Sequence, residues 1–388
     1  MRHNATPPAG AFPRARAWCL PASPPSDCAS SGGTAGVHSP LCHSHSRRAI
    51  TLAALRNATC DVGAPSSFGE ANSLRLQVLR GSLFVVASPH HARMHASSRG
   101  AARVLLANLA AALRLAPPRD LELLLCPSDA PAAWPALSQG VLSSAPPAAR
   151  PFLIPHGVRS RAFSPRQWLR ADDFLRPPPP AAEWAAARAA AAWRGANTGY
   201  PPTTAAAWHA NPRARLAVLS RMYPRLLDAA ISAWPQPHDE LRALTPFLRA
   251  APREGEAFLR AHRYLVDVDG NAQSNRFPAL LRLGRLVLKA SRHDTFLSAT
   301  QRAGRLPHAL PLREDLSDLV PTVRCLRRHD RAAHHLAVEG NAAAAQLLSY
   351  AATIGYWADL LHHYAERQTF TPQRLPGATH WLLWGGSW

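Results

Sequence analysis

The distribution of apolar residues divides the chain before any other property is considered. Over residues 1–65, Pro, Ser, Gly, His and Arg follow one another without a helical or strand period, so this stretch reads as a disordered leader. Periodic structure begins near Leu74. Leu83-Phe84-Val85-Val86 predicts a short strand, and Leu105, Leu106, Leu109 and Leu113 share one face of a helix over Ala101 to Leu113. The short apolar run Leu121-Glu122-Leu123-Leu124-Leu125-Cys126 predicts a buried strand, ended by the turn-forming Pro127-Ser128-Asp129-Ala130-Pro131. Phe152-Leu153-Ile154 is a further short strand, closed by Pro155-His156-Gly157.

Arg176 followed by Pro177 to Pro180 marks a stiff junction without backbone donors. It separates a first unit, 66–180, from a second, 181–368, and a Trp-rich tail, 369–388, follows. The second unit opens with a strand-like Ala191-Ala192-Trp193 and a helix near Arg213 to Tyr223, after which strands alternate with helices. Such alternation predicts an α/β fold with a parallel sheet. Its clearest piece runs from Tyr264 to Lys289. A strand ends at Val268, Gly270 permits the exit, Pro278 suits a first helical turn, Gly284 stops the helix, and Leu286 to Leu288 form the next strand. The ligand crevice of such a βαβ unit lies beyond the carboxyl end of its first strand.

Composition changes this picture little. A chain of 388 residues, 47% hydrophobic and 18% charged, accommodates two globular domains at ~150 residues each. The formal charge is +20, and Lys289 is the single lysine among 44 basic residues. Arginine spread along the whole chain beside long alanine runs points to codon usage rather than to a binding face. No recognition helix, aromatic RNA-binding signature or zinc-finger spacing accompanies it, and a basic nucleic-acid-binding protein stands only as an alternative. No run of 18 or more apolar residues predicts a transmembrane helix, and the first residues lack the apolar core of a secretory signal. The six cysteines permit disulfides, but their spacing names no framework.

The candidate chemistry gathers after the strand that ends at Val268. Ser274 and Arg276 sit where a helix begins, and free N–H groups with the positive end of a helix dipole favour anions there. A hydroxyl and a guanidinium suit a diphosphate, which arginine grips with a planar fork. Asp267-Val268-Asp269 also admits a different reading as a Mn²⁺-binding pair, both carboxylates lying on one face of the strand. A metal-independent site is preferred, because arginine and a helix terminus can neutralise the diphosphate. His334-His335 and His362-His363 are adjacent pairs, whose side chains diverge by about 100° on a helix and so do not chelate one metal.

Several blocks occur in an order that resembles the Rumi-type protein O-glucosyltransferases and their fungal capsule-associated (CAP10-like) and plant relatives. They are Trp193-Arg194-Gly195-Ala196 with Ser220 and Pro224; Asp269-Gly270 with Ser274-Asn275-Arg276-Phe277; Asp315-Leu316-Ser317; and the terminal stretch from His329-Asp330 to Tyr364-Ala365. The resemblance covers roughly 190–366. It implies a GT-B-like α/β fold, two Rossmann-like lobes facing across a cleft, with the acceptor side in 66–180 and the nucleotide-sugar side in 181–368. It further implies inverting transfer of glucose or xylose from a UDP-sugar to a hydroxyl of a protein or glycan acceptor, without a metal or other cofactor. Asn271, Ala272, Gln273, Ser274, Asn275 and Arg276, with Gly270, would line the diphosphate, and Arg194 and Gly195 would approach from the neighbouring strand. His156 would lie by the donor sugar and Asp315 near the donor, although Asp315 is also a good helix start. Asp129 would be the general base that takes the acceptor's proton.

The chain departs from the family pattern in Ala196, which replaces a serine, and in Asp294-Thr295-Phe296-Leu297 and Pro307-His308-Ala309-Leu310-Pro311, which lack the usual glutamate and tyrosine. A catalytically inactive UDP-binding relative is therefore a second alternative. The resemblance implies the lumen of the endoplasmic reticulum or Golgi.

Overall fold

The structure is a computed structural model and describes residues 48–58, 60, 73–86, 94, 96–127, 132, 134–138, 141–142, 144, 151–155, 180–199, 207–235, 248, 251–252, 254–297 and 309–384. After helix α1 (Leu52–Arg56), strands β1 (Leu74–Leu79) and β2 (Ser82–Val86) form a hairpin. Helix α2 (Ala96–Leu115) leads to β3 (Leu121–Cys126) and the short strands β4 (Leu137–Ser138), β5 (Val141–Leu142) and β6 (Phe152–Leu153). The second half holds α3 (Ala181–Ala186), β7 (Arg188–Ala196), α4 (Pro212–Met222), β8 (Leu227–Ala233), α5 (Glu256–Arg260), β9 (His262–Val268), α6 (Phe277–Leu281), β10 (Leu286–Ala290), β11 (His293–Asp294) and β12 (Leu310–Leu312). Helices α7 (Leu319–Arg328), α8 (Asp330–Leu348) and α9 (Tyr350–Arg367) follow, then β13 (Ala378–His380) and α10 (Trp381–Trp384).

The expected α/β class is found, with two main sheets. The second is wholly parallel, in the order β12-β10-β9-β7-β8. Counted along the chain from β7, the strands stand in the order second, first, third, fourth, fifth. Winding therefore reverses between β7 and β9, and the loops leaving their carboxyl ends diverge there to leave a crevice. Alternate residues of β9 face opposite layers. Tyr264 and Val266 share a core with Leu216 of α4 and Val323 of α7, whereas Leu265 joins Phe277 and Leu281 of α6 on the other face. Both faces are covered, which is why these strands read as apolar runs rather than as alternation.

The first sheet has the order β13-β2-β1-β3-β4-β6 and is mixed. Its β13, β2, β1 and β3 pair antiparallel, and only β3, β4 and β6 pair parallel. A small antiparallel pair, β5 with β11, joins the two halves of the chain. Helix α9 also returns to the first half. Its buried Ile354, Trp357, Leu361 and Tyr364 recur at helical spacing, the Tyr356 hydroxyl donates to the Leu153 carbonyl (2.6 Å), and the Tyr364 ring lies 4.9 Å from that of Phe152.

Two ends differ from expectation. Residues 48–58 and 60, placed within the disordered leader by composition, are built into the fold. Ile50 is fully buried and pairs with Gln368, Thr51 caps α1, and Cys60 is bridged to Cys126. The tail likewise has a seat: β13 extends the first sheet at β2. Tertiary polar contacts, invisible to periodicity, hold both. Buried Glu122 on β3 accepts from Gln77 Nε2 (2.8 Å) and from Arg75, and its own N–H donates to Gln368 Oε1 (2.9 Å). Gln77 then clasps the tail twice, donating to the Gln373 carbonyl and accepting from the Leu375 N–H. Glu122→Ala should therefore lower unfolding free energy by about 2–4 kcal/mol in denaturant titrations, since it strands buried partners; an unchanged midpoint would count against this latch.

Candidate active site

The crevice is built from four loops at the carboxyl edge of the parallel sheet. At the end of β7 the Trp193 indole folds forward over Gly195, where an added Cβ would overlap the ring atom Cζ2. The guanidiniums of Arg213 and Arg276 each lie 5.8 Å from the centroid of that ring. Trp193 is 1% exposed, and its Nε1–H has no acceptor among the described residues. Two cations thus share one aromatic platform.

Arg213 comes from the first turn of α4, whose N-terminus is fixed by Pro212 and by the Asn211 side chain, which accepts from the N–H groups of Arg213 and Ala214. Its guanidinium donates to the carbonyls of Asp269 (2.9 Å), Val268 (3.1 Å) and Ala196 (3.2 Å) and to the Thr198 hydroxyl (2.6 Å), lacing the ends of β7 and β9 together. Gly270 leaves room for it, because a Cβ there would come within 3.1 Å of Nη2. Burial, and then the charge of Arg276, pull the Arg213 guanidinium down to about 10, against the opposing pull of Asp267 and Asp269. A site that crowds two cations in this way favours an anion.

Beneath the loop from Gly270 to Arg276 lies a compensated acidic cluster. Asp267, fully buried, accepts from Lys289 Nζ (2.8 Å) and from the Ser274 hydroxyl (2.5 Å). Asp269 accepts from the Ser274 N–H (3.2 Å), the Ser291 hydroxyl (2.6 Å), the Arg292 N–H (3.0 Å) and His293 Nδ1 (2.8 Å), and lies 3.7 Å from Lys289 Nζ. Burial raises the Asp269 carboxyl, but Lys289, His293 and Ser291 outweigh it and hold the group at about 2. Burial depresses Lys289, and the two aspartates more than reverse that, so its ammonium is held above the usual lysine range. The ammonium thus lies between the two carboxylates, closer to Asp267 than to Asp269. Beside this cluster a cleft of about 230 Å³ opens past the ends of β9 and β10, lined by Ala210, Pro212, Gly270, Ser291, Arg292 and Asp315, among others.

The predicted residues fare differently. Arg276 reaches the crevice, donating to the Arg194 carbonyl beside Trp193. Asn271 bridges two of the loops, its Oδ1 accepting from the Gly199 N–H (3.0 Å). Ala272 and Gln273 are buried, Asn275 is half-buried, and Gln273 Nε2 has no partner among the described residues. Ser274 turns its hydroxyl inward to Asp267 and so supports the loop from below, where a hydroxyl facing a diphosphate was expected. The Arg194 guanidinium is not brought to the crevice. It runs back along the sheet to Asp228 (2.8 Å) and stacks on Phe258, because alternation along β7 points it away from Trp193. The helix expected to offer its N-terminus, α6, has only five residues and a correspondingly small dipole; the longer α4 directs its positive end at the cleft instead. Asp315 lines the cleft and is exposed, accepting from the N–H and hydroxyl of Ser317. Asp129 and His156 lie outside the described residues.

Residues 167–381, over half of the chain, match the sequence profile of glycosyl transferase family 90. The chain belongs to this family. Among similar proteins, human protein O-glucosyltransferase 3 is 31% identical over 170 residues, 42% of this chain and 31% of the relative. Zebrafish (Danio rerio) protein O-glucosyltransferase 2 is 31% identical over 114 residues, 29% of this chain and 22% of the relative. The uncharacterized protein 027R of Frog virus 3 is 28% identical over 198 residues, 46% of this chain and 20% of the relative. The chain thus spans less than a third of the length of each of these relatives. No described helix is long and apolar enough to cross a membrane.

Reasoning from sequence overlooked Arg213, Thr198, Asn211, Lys289 and His293. Asn211-Pro212 was a legible helix start, a capping side chain followed by proline at the first helical position, and would have put Arg213 at the crevice. Lys289 carried a signal too, as the lone lysine in an arginine-rich chain. Because the folded Asp269 carboxyl lies below its unfolded value, the stability it contributes is present above about pH 4 and is lost as pH falls toward 2. Asp269→Asn should flatten this part of the acid-unfolding profile, worth on the order of 2 kcal/mol; an identical acid limb in the two proteins would refute the assignment.

Proposed function

We propose that this family 90 chain transfers glucose or xylose from a UDP-sugar to an acceptor hydroxyl, with inversion and without a metal. The observation that carries this reading is the pair of guanidiniums, Arg213 and Arg276, over Trp193 at the point where the sheet order reverses. A pyrophosphate placed there relieves their mutual repulsion and accepts charge-assisted hydrogen bonds from Arg276. The positive end of α4 adds to the same potential, and the adjoining cleft past β9 and β10 has room for the nucleoside, with Asp315 at its rim.

Metal independence is supported by the state of Asp267 and Asp269, whose oxygens are already taken up by Lys289, Ser274, Ser291 and His293. In this reading the chain has a GT-B arrangement, with 66–180 as the acceptor-side lobe and 181–368 as the donor-side lobe. Asp129 serves as general base, accepting the acceptor's proton as its oxygen attacks the anomeric carbon and UDP departs from the opposite face. His156 contacts the donor sugar. The acceptor is a protein or glycan hydroxyl. The Cys60–Cys126 bridge supports an oxidising lumen, endoplasmic reticulum or Golgi, as the working compartment.

Arg276→Ala should weaken UDP binding about tenfold or more by calorimetry, the loss of a charge-assisted contact; an unaltered Kd would remove the diphosphate from this crevice. Asp129→Asn should leave UDP affinity intact while abolishing transfer, and the wild-type enzyme should keep its activity in EDTA. A fully active Asp129→Asn protein would exclude it as base, and a strict Mn²⁺ requirement would overturn metal independence.

A further inference from the structure

The sole lysine of the chain lies under the loop that carries Arg276. Wherever else this sequence places a basic side chain it uses arginine, yet at position 289 a compact ammonium is kept, 8% exposed. Its surroundings explain the choice. The Nζ atom sits 2.8 Å from Asp267 Oδ2, 3.7 Å from Asp269 Oδ1 and 4.4 Å from the Phe277 ring centroid, a space suited to a point charge rather than to a planar fork. The two carboxylates it joins are the ones that grip Ser274, one through the hydroxyl and the other through the backbone N–H. Asp269 also binds His293 of β11, the strand that pairs with β5 from the first half.

We propose that Lys289 is a positioning residue for donor binding: it holds Asp267 and Asp269 together, and they fix the loop from Gly270 to Arg276 in the shape that presents Arg276 beside Trp193. The proposal rests on the donor reading above. Lys289 touches no substrate; it acts through the carboxylates. Removing its charge leaves two buried carboxylates that repel each other, and the loop they jointly hold is spread. The charged groups facing this pair are Lys289 from β10, Arg213 from α4 and His293 from β11. Once the ammonium is gone, a proton on one carboxylate can take its place, because two such groups sharing a site do not both stay ionised on acidification.

This gives a readout that simple damage to the fold would not produce. UDP affinity is measured by calorimetry at pH 8 and at pH 5.5, always as the ratio of variant to wild type so that titration of the nucleotide cancels. Amide hydrogen exchange over 270–276 is followed without nucleotide. Lys289→Met should bind about tenfold or more weakly at pH 8 and recover most of the loss at pH 5.5. The charge-neutral pair Asp267→Asn with Lys289→Met should bind within a few-fold of wild type at both pH values and regain loop protection. Affinity and loop protection unchanged in Lys289→Met would overturn the proposal. So would a loss that neither acid nor the second substitution restores, since the lysine would then be a general support of the core. If the wild-type protein itself fails to bind UDP, the donor reading falls, and the exchange data alone decide whether Lys289 fixes the loop.

Discussion

Two carboxylates stand buried at the end of the central strand β9, and the carboxyl edge of the parallel sheet is organised around neutralising them. Burying an anion without compensation is costly enough that every element nearby contributes to the remedy. Strand β10 supplies Lys289, the loop after β9 supplies Ser274, the turn after β10 supplies Ser291 and the Arg292 N–H, and β11 supplies His293. Because these groups come from successive segments, neutralising Asp267 and Asp269 also fixes the relative positions of the loops. The crevice is a by-product of that arrangement.

The cations above the cluster follow a complementary logic. Arg213 spends its hydrogen bonds on backbone carbonyls at the ends of β7 and β9, groups that a parallel sheet leaves unpaired where its loops diverge. Its charge remains largely uncancelled by direct ion pairing, and Arg276 stands close enough to be felt. The sheet therefore carries negative charge inside, matched locally, and two guanidiniums at its rim. The pyrophosphate of the proposed donor is a small polyanion that would complement that rim.

The halves share an apolar core that takes in Leu105 and Phe152 from the first and Leu265 and Phe277 from the second, and specific contacts add to it. Strands β5 and β11 pair, α9 lies on α2, and the residues after Gln368 return to the first sheet under the hold of Glu122 and Gln77. The chain ends thus reinforce the sheet that the N-terminal segment around Ile50 also closes. Glu122, the one charged residue of the run Leu121 to Cys126, is buried because Arg75 and Gln77 hold its carboxylate, and its backbone N–H ties the tail to the strand.

The sequence by itself determined the α/β class, the βαβ unit from Tyr264 onward with Gly284 in the left-handed conformation at its stop, the strands around Val85, Leu123 and Trp193, and the placing of a crevice after Val268. These depend on periodicity and on local backbone chemistry, which neighbouring residues carry between them. It also put Arg276 at the crevice through its position in an ordered set of motifs. The tertiary structure alone decided which way the side chains of Ser274 and Arg194 turn, that Arg213 and Lys289 join the site, and that residues near Ile50 and beyond Gln368 belong to the fold. Those depend on partners 7 to almost 320 residues away, Ser274 with Asp267 at one extreme and Ile50 with Thr369 at the other. Such pairings leave no period in the chain, because what selects them is the need of a buried charge or an open backbone group for a partner.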